Sequence, residues 1–152
     1  MGEKELFWLT GGIVLCIIIF CIVIHYFRKS KGPADIDMME GHDFEQYCAA
    51  LLKQRGFLEV EITKGSGDYG VDILAEKDGV TYAIQCKCYA QPVVVKAVQE
   101  AYAGRDYYDR MVGAVLTNQY FTTPAVEAAK RLKILLWDRG YLESMIAEGN
   151  ER

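Results

Sequence analysis

Gly67-Asp68-Tyr69-Gly70-Val71-Asp72-Ile73-Leu74-Ala75-Glu76-Lys77-Asp78-Gly79-Val80-Thr81-Tyr82-Ala83-Ile84-Gln85-Cys86-Lys87 reads as two strands about a tight turn. Asp-Gly between alternating apolar residues is a strong two-residue hairpin signal. With Asp78-Gly79 as the turn, Lys77 pairs with Val80, and the numbers of paired residues sum to 157. Asp72 then stands opposite Gln85, with Cβ atoms roughly 5 Å apart on one sheet face. Lys87, two residues on, returns to that face. A carboxylate, an amide oxygen and an ammonium converge there, a group that suits a divalent metal with a water beside it. Register decides this grouping, because a slip of one residue sends a whole strand's side chains to the other face.

Outward from the hairpin, the remaining elements follow from pattern. Phe44, Tyr47, Cys48, Leu51 and Leu52 recur at helical spacing, which predicts a helix from Gly41 to Gly56, with Gly56 at its C-terminal cap. Phe57–Thr63 predicts a strand with Val60 and Ile62 inward. The hairpin strands are expected at about Val71–Lys77 and Val80–Tyr89. Val95–Tyr108 can form a helix, and Met111–Thr117 is an apolar run suited to a strand buried on both faces. Thr122-Thr123-Pro124 places an N-cap before a proline and starts a helix through about Leu132. Ile134–Trp137 predicts a short strand and Tyr141–Ala147 a last helix. The order is α-β-β-β-α-β-α-β-α, an α/β fold with a mixed sheet flanked by helices.

The chain has 152 residues. Leu6–Phe27 is almost wholly apolar and contains no Asp, Glu, Lys or Arg. About 20 such residues cross a bilayer core, so residues 6–27 are expected to form a transmembrane helix. A cleaved signal peptide fits less well, since Glu3-Lys4-Glu5 is not net positive and no small-x-small site follows. Arg28, Lys29 and Lys31 follow the span, against Lys4 before it, which places the C-terminal domain in the cytoplasm of a single-pass membrane protein. The expected organisation is an anchor with its basic flank over 1–31, a linker over 32–40, a domain over 41–148 and a tail over 149–152.

From Pro33 onward there are 13 Lys and Arg against 19 Asp and Glu, a net charge of −6. That excludes a generally basic nucleic-acid binder; a nucleic acid would have to be held by local cations or a metal. Cys48, Cys86 and Cys88 match no common zinc spacing, and Cys86 and Cys88 fall on the strand face opposite Gln85 and Lys87, as small core residues.

The element order and the motif pair resemble the restriction-endonuclease-like PD-(D/E)xK superfamily, and more closely its Mrr-type catalytic domain. There the central acid is replaced by glutamine, giving D…QxK, as in Asp72 and Gln85-Cys86-Lys87. The resemblance covers about Gly41 to Ile146. It includes Glu45 in Gly41-His42-Asp43-Phe44-Glu45, Tyr89 after the lysine, Gln99 in the following helix, and Thr117-Asn118 to Phe121-Thr122-Thr123-Pro124-Ala125. It implies a Mg²⁺-dependent DNA endonuclease of the type IV restriction class, with Mn²⁺ able to substitute, acting on foreign or modified DNA. The methyl-recognition domain of the founding type IV enzymes has no counterpart in this chain.

Mg²⁺ takes few oxygen ligands from protein and keeps several waters. Asp72 would be the main ligand, joined by the Gln85 side-chain oxygen, the Cys86 backbone carbonyl and, directly or through water, Glu45. Lys87 would orient or deprotonate the attacking water and steady the developing charge. Without a metal, Asp72 and Lys87 would be an ordinary cross-strand ion pair. Lys64, Ser66 and Tyr69 lie on the Gly-rich loop, where amides and short side chains can meet a phosphate; an ordinary tight loop is the alternative. Gln99 is a further candidate DNA contact, and Tyr102, Tyr107 and Tyr108 are expected more in the core than on a stacking surface. Double-strand cleavage with one site per chain calls for a homodimer, at least transiently. The alternative function is a catalytically inactive nucleic-acid or protein-binding module on the same fold.

Overall fold

The computed structural model describes residues 17–19, 36–64, 67 and 69–149. The chain divides into two units, Met1–Lys31 and Gly32–Arg152. In the first, the described residues 17–19 are helical. The expected span over 6–27 therefore lies largely outside the described residues, and among those described no helix is long and apolar enough to cross a membrane.

The second unit runs α1 (Gly41–Gln54), β1 (Leu58–Ile62), β2 (Ile73–Lys77), β3 (Val80–Lys87), α2 (Val95–Tyr107), β4 (Val112–Thr117), α3 (Thr123–Leu132), β5 (Ile134–Trp137) and α4 (Arg139–Gly149). The order matches the expected one. The strands form one mixed sheet in the order β1-β2-β3-β4-β5. The first three meander antiparallel, while β3, β4 and β5 run parallel through helical crossovers.

The turn decides the register as its chemistry requires. Asp78 and Gly79 have φ of 53° and 78°, the left-handed pair that a two-residue hairpin needs. Lys77 pairs with Val80, and the pairing continues to Ile73 opposite Ile84. It changes at the next residue. The Asp72 amide donates to the Ile84 carbonyl at 2.9 Å, so Asp72 and Ile73 both face Ile84 instead of Asp72 standing opposite Gln85. That extra residue is a bulge, which re-aims a side chain at a strand end.

Each sheet face is covered. On one, Phe44, Cys48, Leu51 and Leu52 of α1 and Leu142, Met145 and Ile146 of α4 pack on Ile73, Ile84, Cys86, Ala114, Leu116 and Trp137. On the other, Ala97, Val98 and Ala101 of α2 and Ala125 and Ala129 of α3 pack on Val115 and Ile134. β4 is buried on both faces, as its unbroken apolar run predicts. Small side chains on α2 and α3 let the helices approach the sheet closely. The nearest approach is at Gly104, where a Cβ would fall 2.2 Å from Val71 Cγ2 and 2.9 Å from the Tyr69 carbonyl. No side chain larger than hydrogen fits, so Gly104 docks the loop before β2 onto α2.

Asn118, 2% exposed, ties the segment after β3 to the end of β4. Its Oδ1 accepts from the Tyr89 amide at 2.9 Å, and its Nδ2 donates to the Tyr89 carbonyl and to Asp37 Oδ1, both at 3.0 Å. Arg139 grips both Asp37 oxygens at 2.8 and 3.0 Å. Hydrogen bonds from Arg139 and Asn118 hold the Asp37 carboxyl below its usual range. The resemblance pointed to Asn118 without a role; its contacts give it a structural one, fixing the backbone two residues beyond Lys87. Asn118→Ala strands the Tyr89 amide and is expected to cost about 1–3 kcal/mol, read as a lower denaturant midpoint with an unchanged slope.

Candidate active site

Asp72 lies just before β2, and Gln85, Cys86 and Lys87 close β3. Asp72 and Gln85 are both buried, 9% and 3% exposed. The bulge turns the Asp72 carboxylate along β3. Its Oδ2 accepts from Gln85 Nε2 at 2.5 Å and from the Cys86 amide at 2.6 Å. Gln85 Nε2 also points at the Cys86 carbonyl, 3.4 Å away. Thus Asp72 and the Cys86 carbonyl both face the Gln85 head group. Gln85 Oε1 is buried and has no hydrogen-bond partner among the described residues. A buried amide oxygen left without a partner is costly, and such groups mark sites where a ligand supplies the missing contact.

Gly70, at φ 77°, roofs this group. A Cβ there would meet Glu100 Cβ at 2.6 Å and Gln85 Oε1 at 3.0 Å. Glu100, on α2, pairs its Oε2 with Lys87 Nζ at 3.0 Å. Burial works to lower the Lys87 pKa, but the hydrogen bond and charge of Glu100 outweigh it and hold Lys87 above the ordinary lysine value. As placed, the Lys87 ammonium is held by the Glu100 carboxylate.

Glu45 comes from α1, on the other sheet face. Its carboxylate lies 3.3 Å from His42 Nδ1 and is partly buried. Its charge is felt at Cys86, whose thiol is pushed well up by a hydrogen bond to Cys48, then by burial, then by the charges of Cys48, Asp72 and Glu45. Cys86 itself is a core thiol as expected. Cys88 is partly buried beside the same core.

The loop candidates divide. Lys64 is exposed, and Ser66 lies outside the described residues. Tyr69, 56% exposed with φ 51°, stacks on Tyr107 at 3.8 Å between ring centroids. Tyr102 and Tyr107 are exposed rather than core, because their helix turns Ala97, Val98, Ala101 and Gly104 to the sheet instead. Only Tyr108 packs inward, against Val71, Leu74 and Ala83. Gln99 is exposed, and it is Glu100, the next residue, that faces the site. Glu100 lies four residues before Gly104, on the helix face that docks the loop, a face that only the folded packing marks.

Among the described residues, no three His, Cys, Asp or Glu side chains gather as a metal-binding cluster. The oxygens available are mixed: one buried carboxylate, one unpartnered amide oxygen and one backbone carbonyl. That donor set is hard and oxygen-only, which fits Mg²⁺ and not zinc.

A mixed five-stranded sheet flanked by helices on both faces is the fold of restriction-endonuclease-like proteins. Residues 36–146 match the Mrr_cat model, described as a restriction endonuclease, and the chain belongs to that family. Among solved structures, it is similar to a protein of unknown function, AF1548, at 24% identity and TM-score 0.59, over 70% of this chain and 65% of that one. It is also similar to AspBHI, a DNA modification-dependent restriction endonuclease, at 18% identity and TM-score 0.56, over 71% of this chain and 31% of that one. The chain thus spans under two thirds of the length of either. No curated protein matches it.

Proposed function

We propose that this chain is a membrane-anchored, Mg²⁺-dependent endonuclease that hydrolyses DNA phosphodiester bonds, serving restriction of foreign or modified DNA. The observation that carries the nuclease reading is the unpartnered, buried Oε1 of a Gln85 head group whose Nε2 meets the Asp72 carboxylate and lies 3.4 Å from the Cys86 carbonyl, in a restriction-endonuclease domain. Those three groups would hold the ion once the Gln85 amide turns its oxygen, in place of Nε2, toward Asp72 and the Cys86 carbonyl, with Glu45 adding charge through water. Bound there, Mg²⁺ or Mn²⁺ supplies an activated water and a counter-charge for the phosphate.

The chain's own residues do the rest. Asp72 holds the Gln85 head group and the end of β3 in one arrangement. Lys87, kept cationic, donates to the attacking water and to phosphate oxygens, where charge develops. Gly70, without a side chain, keeps a methyl from crowding the Gln85 oxygen. Lys64, Ser66, Tyr69 and Gln99 would contact DNA around this centre. In a domain of net charge −6, phosphate affinity has to come from the ion and these few groups. The apolar span over 6–27 would tether the domain to the cytoplasmic face of a single-pass membrane, and double-strand cutting would use a transient homodimer.

The test uses residues 33–152 with supercoiled and linear DNA, with Mg²⁺, Mn²⁺ or neither. Metal-dependent nicking or linearisation is the expected result. Folded protein that binds DNA and never cuts it would instead favour a binding module on the nuclease fold.

A further inference from the structure

Lys87 ends β3 on a flexible four-carbon stem. Nothing in the strand itself fixes where its ammonium sits. The neighbouring helix does. Glu100 Oε2 lies 3.0 Å from Lys87 Nζ, with the two side chains 30% and 18% exposed. This pair is more sheltered than an ordinary surface ion pair and is less screened by salt. The second Glu100 oxygen is 3.8 Å from Lys96 Nζ, whose side chain is 79% exposed, so the stronger hold is on Lys87.

Glu100 also belongs to the floor of the site. It and Gln85 Oε1 line the same small space, since a single methyl at Gly70 would strike both. Gly104, four residues on, carries the loop backbone on the same helix face. One face of α2 therefore sets the loop, and through Glu100 the lysine, relative to Asp72 and Gln85.

We propose that Glu100 is a positioning residue: its carboxylate holds the Lys87 ammonium at the Asp72–Gln85 group, so that the ammonium meets the attacked phosphate in a fixed place. This rests on the nuclease reading above. Partners that orient a reacting group typically change rates by about 10–100-fold when removed. In the whole 152-residue chain, Glu100→Gln is expected to lower kcat by about that factor. KM for DNA and the metal concentration giving half-maximal rate should stay put. Glu100→Asp should recover part of the loss, and Glu100→Ala should add nothing to Lys87→Ala.

A second readout does not depend on cutting. In protein labelled with ¹⁵N-lysine, a carboxylate-bound ammonium exchanges its protons slowly and gives a resolved signal. Lys87 should show one, assigned by its absence in Lys87→Arg, and Glu100→Gln should remove it while the melting temperature holds. Wild-type cutting by Glu100→Gln would overturn the proposal. So would losses that multiply in the double variant, or a shift in metal requirement at constant kcat, which would make Glu100 a ligand. If the parent chain does not cut DNA at all, the nuclease reading falls, and the Lys87 signal alone decides whether Glu100 fixes the lysine.

Discussion

Asp72→Asn is expected to lower DNA cleavage on the order of 10³-fold, about 4 kcal/mol of barrier, while leaving the domain folded. The substitution keeps the size and shape of the side chain. An asparagine oxygen can still accept from Gln85 Nε2 and the Cys86 amide, the two donors that meet Asp72 Oδ2 at 2.5 and 2.6 Å. What disappears is the negative charge, the one full charge among the Asp72, Gln85 and Cys86 oxygens. A site with a single buried carboxylate has no reserve, so the loss should appear both as weaker Mg²⁺ binding by calorimetry and as lost turnover. Weakening two charge-assisted hydrogen bonds to neutral ones costs about 2–3 kcal/mol in stability, so assays well below the lowered melting temperature would separate the chemical effect from unfolding. Glu45→Gln should lose far less activity, since Glu45 stands on the helix of the other sheet face, with its carboxylate 3.3 Å from His42. A D72N protein that cuts as fast as its parent would remove the carboxylate from the mechanism.

Much of this arrangement was legible in the sequence because local chemistry fixed it. Asp78-Gly79 permits few turns, and the turn carried the register from Lys77–Val80 to Ile73–Ile84. The apolar run Met111–Thr117 and the Thr122-Thr123-Pro124 start were similarly unambiguous. What escaped depends on tertiary approach. The bulge at Asp72 left the pairing rule one residue short, and it brought the carboxylate to Gln85 and Cys86 by turning along β3 rather than by facing across it. The tyrosines of α2 were expected inward because aromatic residues usually are, yet alanine and glycine occupy the sheet-facing positions and leave Tyr102 and Tyr107 outside. The family resemblance singles out Gln99, whereas the helix turns Glu100, the next residue, to the site. The true phase is set by Gly104, whose need for a close backbone neighbour is visible only once the loop before β2 is placed against it.

Gly70→Ala should then damage the site without removing any reacting atom. Two costs combine. At φ 77° an alanine bears roughly 1–2 kcal/mol of backbone strain. Its methyl would also lie 2.6 Å from Glu100 Cβ, 3.0 Å from Gln85 Oε1 and 3.2 Å from the Glu100 Cα, atoms that cannot all move aside. Overpacking of this kind adds about 1–3 kcal/mol. Gly79→Ala is the matched control: φ is 78°, but nothing lies within 4 Å of the new methyl. It should show the strain alone and keep its activity. Relief at Gly70 requires the loop or α2 to shift, and either shift moves Gln85 or Glu100, and with Glu100 the lysine. A displacement near 1 Å is enough to reduce turnover about 10²-fold. The expected result is thus a larger fall in melting temperature than Gly79→Ala gives, together with a turnover loss that Gly79→Ala does not share. Equal melting and parental cutting in both variants would mean that the loop can yield at Gly70 without disturbing the reacting groups. The coupling of α2, loop and β3 would then be looser than the packing around Gly70 and Gly104 requires.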